Sequence, residues 1–123
     1  MDTRFHGIIV QMPLDTTNKI DSHLITDAVA AHKDVDGLNT INEGKIAVGD
    51  LSGFLPCTPN GVVELIKRTG TVIAGKEVCV LGRSRIVGTP CSELLKWNHG
   101  TVTVCHSKTE NLKDVTVRAD ILV

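Results

Sequence analysis

Tyrosine is missing from these 123 residues and aromatic side chains make up only 2% of them, so any hydrophobic core has to be aliphatic. The formal net charge is −1 and no basic block occurs, which argues against nucleic acid as the main partner. No apolar run approaches the roughly 18 residues of a membrane span, so no membrane partner is expected, and no signal-peptide pattern follows Met1. The four cysteines (Cys57, Cys79, Cys91, Cys105) form no Cys-x-x-Cys pair and read as reduced structural thiols. No metal is expected: the Lys33-Asp-Val-Asp-Gly37 turn carries two carboxylates, with no third and fourth ligand at suitable spacing. It reads instead as a solvated turn. The dinucleotide fingerprint G-x-G-x-x-G is absent as well.

What is present centres on residues 78–90, VCVLGRSRIVGTP. The apolar run 78–81 suits a strand covered on both faces, as in a parallel sheet. Gly82 turns the backbone where the strand ends, and Gly88 permits close approach ahead of a helix. Thr89-Pro90 reads as a helix start, with a capping hydroxyl followed by proline at the first helical position. Strand, glycine turn and helix N-terminus together make an anion site of the mononucleotide-binding βαβ type. A glycine pair spaced G-x5-G also serves simple turns, so the following strand carries weight. Residues 101–105 alternate β-branched side chains and lead into His106-Ser107-Lys108. In a Rossmann unit that position meets the adenine ribose, and an acidic residue there selects NAD. A hydroxyl between imidazole and ammonium, with Arg83 close by, suits a 2′-phosphate and favours NADP.

With 41% hydrophobic and 22% charged residues, the chain is that of a modest soluble domain. Residues 7–14 read as a strand of buried type closed by Pro13. Gln11 within it is either a satisfied strand amide or a site residue at a strand's C-terminal end. Ile20, Leu24, Ile25, Ala28 and Val29 share one helical face over residues 20–32. Residues 38–57 look irregular, broken by Gly44, Gly49 and Gly53. A helix follows, with Thr58 as cap, Pro59 at its first position, Glu64 and Arg68 four apart, and Gly70 as its stop. A third helix carries Leu94, Leu95 and Trp97, Asn111 caps a short fourth, and residues 120–123 begin another strand.

Five stretches stand in matching order and spacing: Gly7-Ile-Ile-Val-Gln-Met-Pro-Leu14, Lys33-Asp-Val-Asp-Gly37, Pro56-Cys-Thr-Pro59, Gly82-Arg-Ser-Arg-Ile-Val-Gly88 and Thr101-Val-Thr-Val-Cys-His-Ser107. Through them the chain resembles the bifunctional methylenetetrahydrofolate dehydrogenase/methenyltetrahydrofolate cyclohydrolase family, in the form found in eukaryotic C1-tetrahydrofolate synthases. The resemblance implies NADP-dependent oxidation of 5,10-methylenetetrahydrofolate, then hydrolysis of the methenyl product to 10-formyltetrahydrofolate. It implies folate contacts for Val10, Gln11 and Met12, with Gln11 also touching the catalytic lysine, and a pterin-holding carboxylate at Asp36. A carboxylate can accept two parallel N–H bonds from a 2-aminopyrimidinone edge. It implies nucleotide contacts for Gly82, Arg83, Ser84, Ile86 and Ser107, with Arg83 and Ser107 at the 2′-phosphate. Tetrahydrofolate derivatives and NADP are the implied partners, in a homodimer of the full-length protein.

The fold implied is α/β: the C-terminal part of a folate-side α/β domain (1–57), a bridging helix (58–70), and an incomplete Rossmann doubly wound parallel sheet (71–123). The family's general acid/base is a lysine in a Tyr-x-x-x-Lys helix upstream of the Gly7 strand, and these residues contain no tyrosine. Its C-terminal glycine- and proline-rich folate loop is missing too. Both ends read as cut. The chain alone is therefore expected to be inactive, either a fragment or a shortened isoform that binds nucleotide without catalysis. A cytoplasmic location is expected, with a mitochondrial one as the alternative.

Overall fold

A computed structural model describes residues 2–123, which fall into two compact units, one ending at Pro56 and the other spanning Cys57–Val123. In the first unit, α1 (Ser22–Asp27) starts at Asp21, whose carboxylate accepts from the His23 N–H. It is shorter than the helix predicted over 20–32, and Leu24 and Ile25 on its expected inner face are exposed. The side chain of Asn39 ends it: Nδ2 donates to the carbonyls of Asp27 (3.4 Å) and Val29 (2.9 Å), groups a longer helix would have used internally.

Asn39 also starts α2 (Thr40–Ala47), accepting from the Ile41 N–H at 2.8 Å. The expectation of irregular chain over 38–57 is corrected here. Gly44 sits within the helix, where its cost is outweighed by a cap, by Asp27 bonded to the Thr40 N–H and hydroxyl, and by burial of Ile46.

Residues 7–14 do not form a buried strand. Ile8 makes one isolated parallel bridge with Asp34, through its N–H to the Lys33 carbonyl at 2.7 Å, and Ile8 and Ile9 are exposed. Apolar composition fits a covered strand, but pairing needs neighbours on both sides, and among the described residues this segment has one.

In the second unit, α3 (Cys57–Arg68) begins one residue before Thr58, and Glu64 and Arg68 pair at 2.8 Å on its exposed side. Gly70 ends it with φ +81°. Then come β1 (Glu77–Leu81), α4 (Gly88–Trp97), β2 (Thr101–Cys105), α5 (Leu112–Thr116) and β3 (Ile121–Leu122). The sheet is wholly parallel in the order β2-β1-β3. Val78, Cys79 and Val80 of β1 are buried between α4 and the neighbouring strands, with Cys91, Leu94 and Leu95 of α4 packed over them. Trp97, placed by periodicity on that helix, is partly exposed, with the Lys96 ammonium 5.0 Å from its ring centroid. Asn111 precedes α5 in a left-handed conformation (φ 52°) and makes no side-chain cap, contrary to expectation.

The chain leaves β1 toward β2 through α4, then crosses back through α5 to lay β3 on the other side of β1. The winding reverses at β1. Ligands of open α/β sheets bind outside the strand C-termini at such a reversal.

Candidate nucleotide site at the strand ends

The loop after β1 is shaped by Gly82 and Gly88. Gly82 has φ +137°, outside the range of ordinary side-chain-bearing residues. A Cβ on Gly88 would lie 2.4 Å from the Gly82 carbonyl oxygen and 2.8 Å from the Arg83 nitrogen, so only hydrogen fits there. The expected cap is corrected: Thr89 does not cap α4. Its hydroxyl donates to the Arg83 carbonyl (3.3 Å) and its N–H to the Ser84 carbonyl (2.9 Å), tying the loop down. Capping falls to Ser84, whose Oγ accepts from the Val87 and Gly88 N–H groups, each at 3.2 Å. With both lone pairs engaged, the Ser84 hydroxyl hydrogen is left to donate outward, toward an acceptor such as a phosphate oxygen. Arg83, Ser84 and Ile86 are exposed around this turn.

The loop after β2 is a tight turn. The Thr109 N–H donates to the His106 carbonyl, the His106 N–H to the Thr109 hydroxyl (both 2.8 Å), and the Lys108 N–H to His106 Nδ1 at 3.2 Å. Ser107 stands exposed at its tip. The Gly82 N–H donates to the Cys105 carbonyl at 2.8 Å, so the two loops leave the sheet side by side. The structure thus brings Gly82, Arg83, Ser84, Ile86 and Ser107 to one edge. An arginine, two hydroxyls and a helix N-terminus there suit an anionic ligand. Sequence reading missed Thr109 and the His106 ring as the parts that fix Ser107; a threonine two residues beyond a predicted strand-end serine was the available signal.

Beneath these loops, Cys79 and Cys105 face each other with their sulfurs 3.7 Å apart, and both are free thiols. Burial, then the Cys105 hydrogen bond, pushes the Cys79 pKa up; burial pushes Cys91 up as well. They are packing residues, not nucleophiles.

In the first unit, Gln11 and Asp36 each lie shortly downstream of the Ile8–Asp34 bridge. Gln11 is exposed, not a buried strand amide, and its Nε2 donates to the Met12 carbonyl at 3.0 Å; Val10, Met12 and Asp36 are half-buried. The expectation of a solvated carboxylate pair fails at Asp34. It is 4% exposed, and its Oδ2 accepts from the Asn39 N–H (2.8 Å) and from Asn42 Nδ2 (2.9 Å). One carboxylate is structural and the other, Asp36, is left at the surface of the turn.

Comparison with known proteins gives consistent results. Residues 56–123 match the family described as tetrahydrofolate dehydrogenase/cyclohydrolase, NAD(P)-binding domain. The chain is 77% identical over 118 residues to the cytoplasmic C-1-tetrahydrofolate synthase of Spodoptera frugiperda, covering 96% of this chain and 13% of that protein. Among solved structures, it is similar to the bifunctional enzyme FolD, methylenetetrahydrofolate dehydrogenase/cyclohydrolase, from Campylobacter jejuni (TM-score 0.93, 43% identity, 98% of this chain and 42% of that one). It is also similar to the Trypanosoma brucei enzyme solved with NADP cofactor and inhibitor (TM-score 0.87, 37% identity, 96% and 40%). No helix among the described residues is long and apolar enough to cross a membrane.

Proposed function

The chain belongs to the tetrahydrofolate dehydrogenase/cyclohydrolase family, and from that premise we propose that it supplies the NADP-binding βαβ unit, with part of the folate-binding side, of an enzyme that oxidises 5,10-methylenetetrahydrofolate and hydrolyses the methenyl product to 10-formyltetrahydrofolate. In this reading residues 1–57 are the folate side, 58–70 the connecting helix and 71–123 the nucleotide side.

NADP, when bound, supplies the hydride acceptor. Gly82, Ser84 and Ile86 line its pyrophosphate turn, with the Ser84 hydroxyl donating to a phosphate oxygen. Arg83 and Ser107 hold the 2′-phosphate, the guanidinium as a two-pronged donor and the hydroxyl as a third. The absence of an acidic side chain at residues 106–108 supports NADP over NAD. On the folate side, Asp36 accepts the pterin's N–H pair, Gln11 contacts the folate and the enzyme's lysine, and Val10 and Met12 flank it. In the full-length protein the unit works within a homodimer, in the cytoplasm as the names of its relatives have it.

The observation that carries the nucleotide reading is the Gly82–Cys105 backbone bond, which sets the Arg83 and Ser107 loops beside each other. The 123 residues contain no tyrosine and hence no Tyr-x-x-x-Lys helix, so by themselves they bind without turnover. Amide NMR of the chain, titrated with NADP and then NAD, tests this. Saturable shifts in residues 82–88 and 105–109 are expected with NADP, weakened about tenfold by Arg83→Gln while NAD is indifferent to the change. Indifference of the native chain to both nucleotides would overturn it.

A further inference from the structure

The turn after β2 is closed by its own hydrogen bonds. Cys105, the last residue of β2, is 1% exposed and fixes where the turn begins. The Thr109 N–H donates to the His106 carbonyl and the His106 N–H to Thr109 Oγ1, both at 2.8 Å, so His106 and Thr109 are joined at two points. The Lys108 N–H donates to His106 Nδ1 at 3.2 Å. The N–H groups of His106, Lys108 and Thr109 thus have acceptors inside the turn, whereas that of Ser107 has none among the described residues.

Ser107 therefore presents two donors at an exposed tip, its N–H and its hydroxyl. A serine on a surface turn does not fix its own position, since such chain moves readily unless it is tied down. Of the two ties between His106 and Thr109, the backbone one is open to any residue but proline at position 109. The other needs an oxygen acceptor on the side chain there, which threonine supplies. Branching at Cβ restricts χ1 and keeps that oxygen in place.

We infer that Thr109 is a positioning residue for nucleotide choice. Its hydroxyl oxygen, acting through the His106 N–H, holds Ser107 where both of its donors reach the 2′-phosphate. This rests on the reading of Ser107 as a 2′-phosphate contact given above. NAD carries a hydroxyl in place of that phosphate, so displacing Ser107 weakens NADP and leaves NAD unchanged.

The test is the affinity of the native chain, Ser107→Ala, Thr109→Val and Thr109→Ser for NADP and for NAD, followed by amide NMR. Valine keeps the shape of threonine and removes only the acceptor. Thr109→Val should weaken NADP about tenfold and Ser107→Ala by a similar factor, with NAD unchanged in both, the loss expected for hydrogen bonds to a charged group. Thr109→Ser should recover most of the NADP affinity. Without nucleotide, the His106 amide should exchange faster in Thr109→Val than in the native chain or Thr109→Ser, while amides 78–80 keep their native shifts in every variant and so report an intact sheet. If Ser107→Ala weakens NADP and Thr109→Val does not, the positioning role is wrong and the reading of Ser107 stands. If Ser107→Ala leaves NADP affinity intact, that reading fails and the inference goes with it. An equal loss of NADP and NAD in Thr109→Val would reduce Thr109 to a prop of the fold and also overturn the inference.

Discussion

Gly88 and Gly82 meet across the first turn of the sheet so closely that a Cβ on Gly88 would lie 2.4 Å from the Gly82 carbonyl oxygen. The obstructing atoms are backbone, of Gly82 and Arg83, and cannot swing away as a flexible side chain would. Gly88→Ala should therefore cost about 1–3 kcal/mol, as overpacking does, and should abolish NADP binding by prising open the turn. Urea unfolding and an NADP titration check the two effects, and a variant of native stability would show that the loop relaxes freely.

Ser84 caps α4 from four residues upstream of its first residue, with one oxygen accepting from Val87 and Gly88. Ser84→Ala should lower stability by about 1 kcal/mol, the ordinary worth of such a cap. Ser84→Thr keeps the hydroxyl and should recover most of the loss in a thermal melt. Equal melting of the two variants would assign the effect to something other than the hydroxyl.

Asp34 makes both of its buried bonds through one oxygen, Oδ2. An asparagine can offer that oxygen, whereas an alanine strands the Asn39 N–H and the Asn42 amide. Asp34→Ala should cost about 2–3 kcal/mol and Asp34→Asn about 1, measured by the loss of dispersed amide signals from residues 26–48 in urea.

The three buried thiols predict both reactivity and a pH dependence. A thiol reagent should label Cys57 alone in the native chain and all four cysteines after unfolding, since Cys79, Cys91 and Cys105 are buried. Cys79 and Cys91 have pKa values raised in the fold from the ordinary 9.0. Below that value native and unfolded chains both keep these protons, and stability is level on their account. Above it the unfolded thiols ionise first, and stability falls by at most about 1.4 kcal/mol per thiol per pH unit until the native pKa is reached. Unfolding curves at neutral and alkaline pH, compared with those of Cys79→Ala/Cys91→Ala, measure the difference.

The second unit was far more legible than the first. Its strands and helices are fixed by local signals that agree with the packing: Val78 to Val80 as an apolar run, alternation through Val102 and Val104, and a glycine at 82 where the chain must turn. The error at Thr89 arose because Ser84 and Thr89 both precede the helix; only the folded loop shows which hydroxyl meets the free N–H groups. In the first unit the decisive groups act at a distance. Asn39 ends one helix and starts another, and Asp34 becomes a buried acceptor because Asn39 and Asn42 return to it. A period search sees none of this. The stretch around Ile8 misled for the opposite reason, since its composition describes a buried strand while its pairing provides one bridge.

The order β2-β1-β3 also sets an order in time. Val78 pairs with Val102, 24 residues on, and with Ile121, 43 residues on. Closing the longer loop costs about 0.5 kcal/mol more in chain entropy. The β1-α4-β2 unit is therefore expected to close before β3 joins it, an order that folding kinetics of strand variants would check. Mutations in α4 should slow folding, whereas mutations in β3 should mainly hasten unfolding.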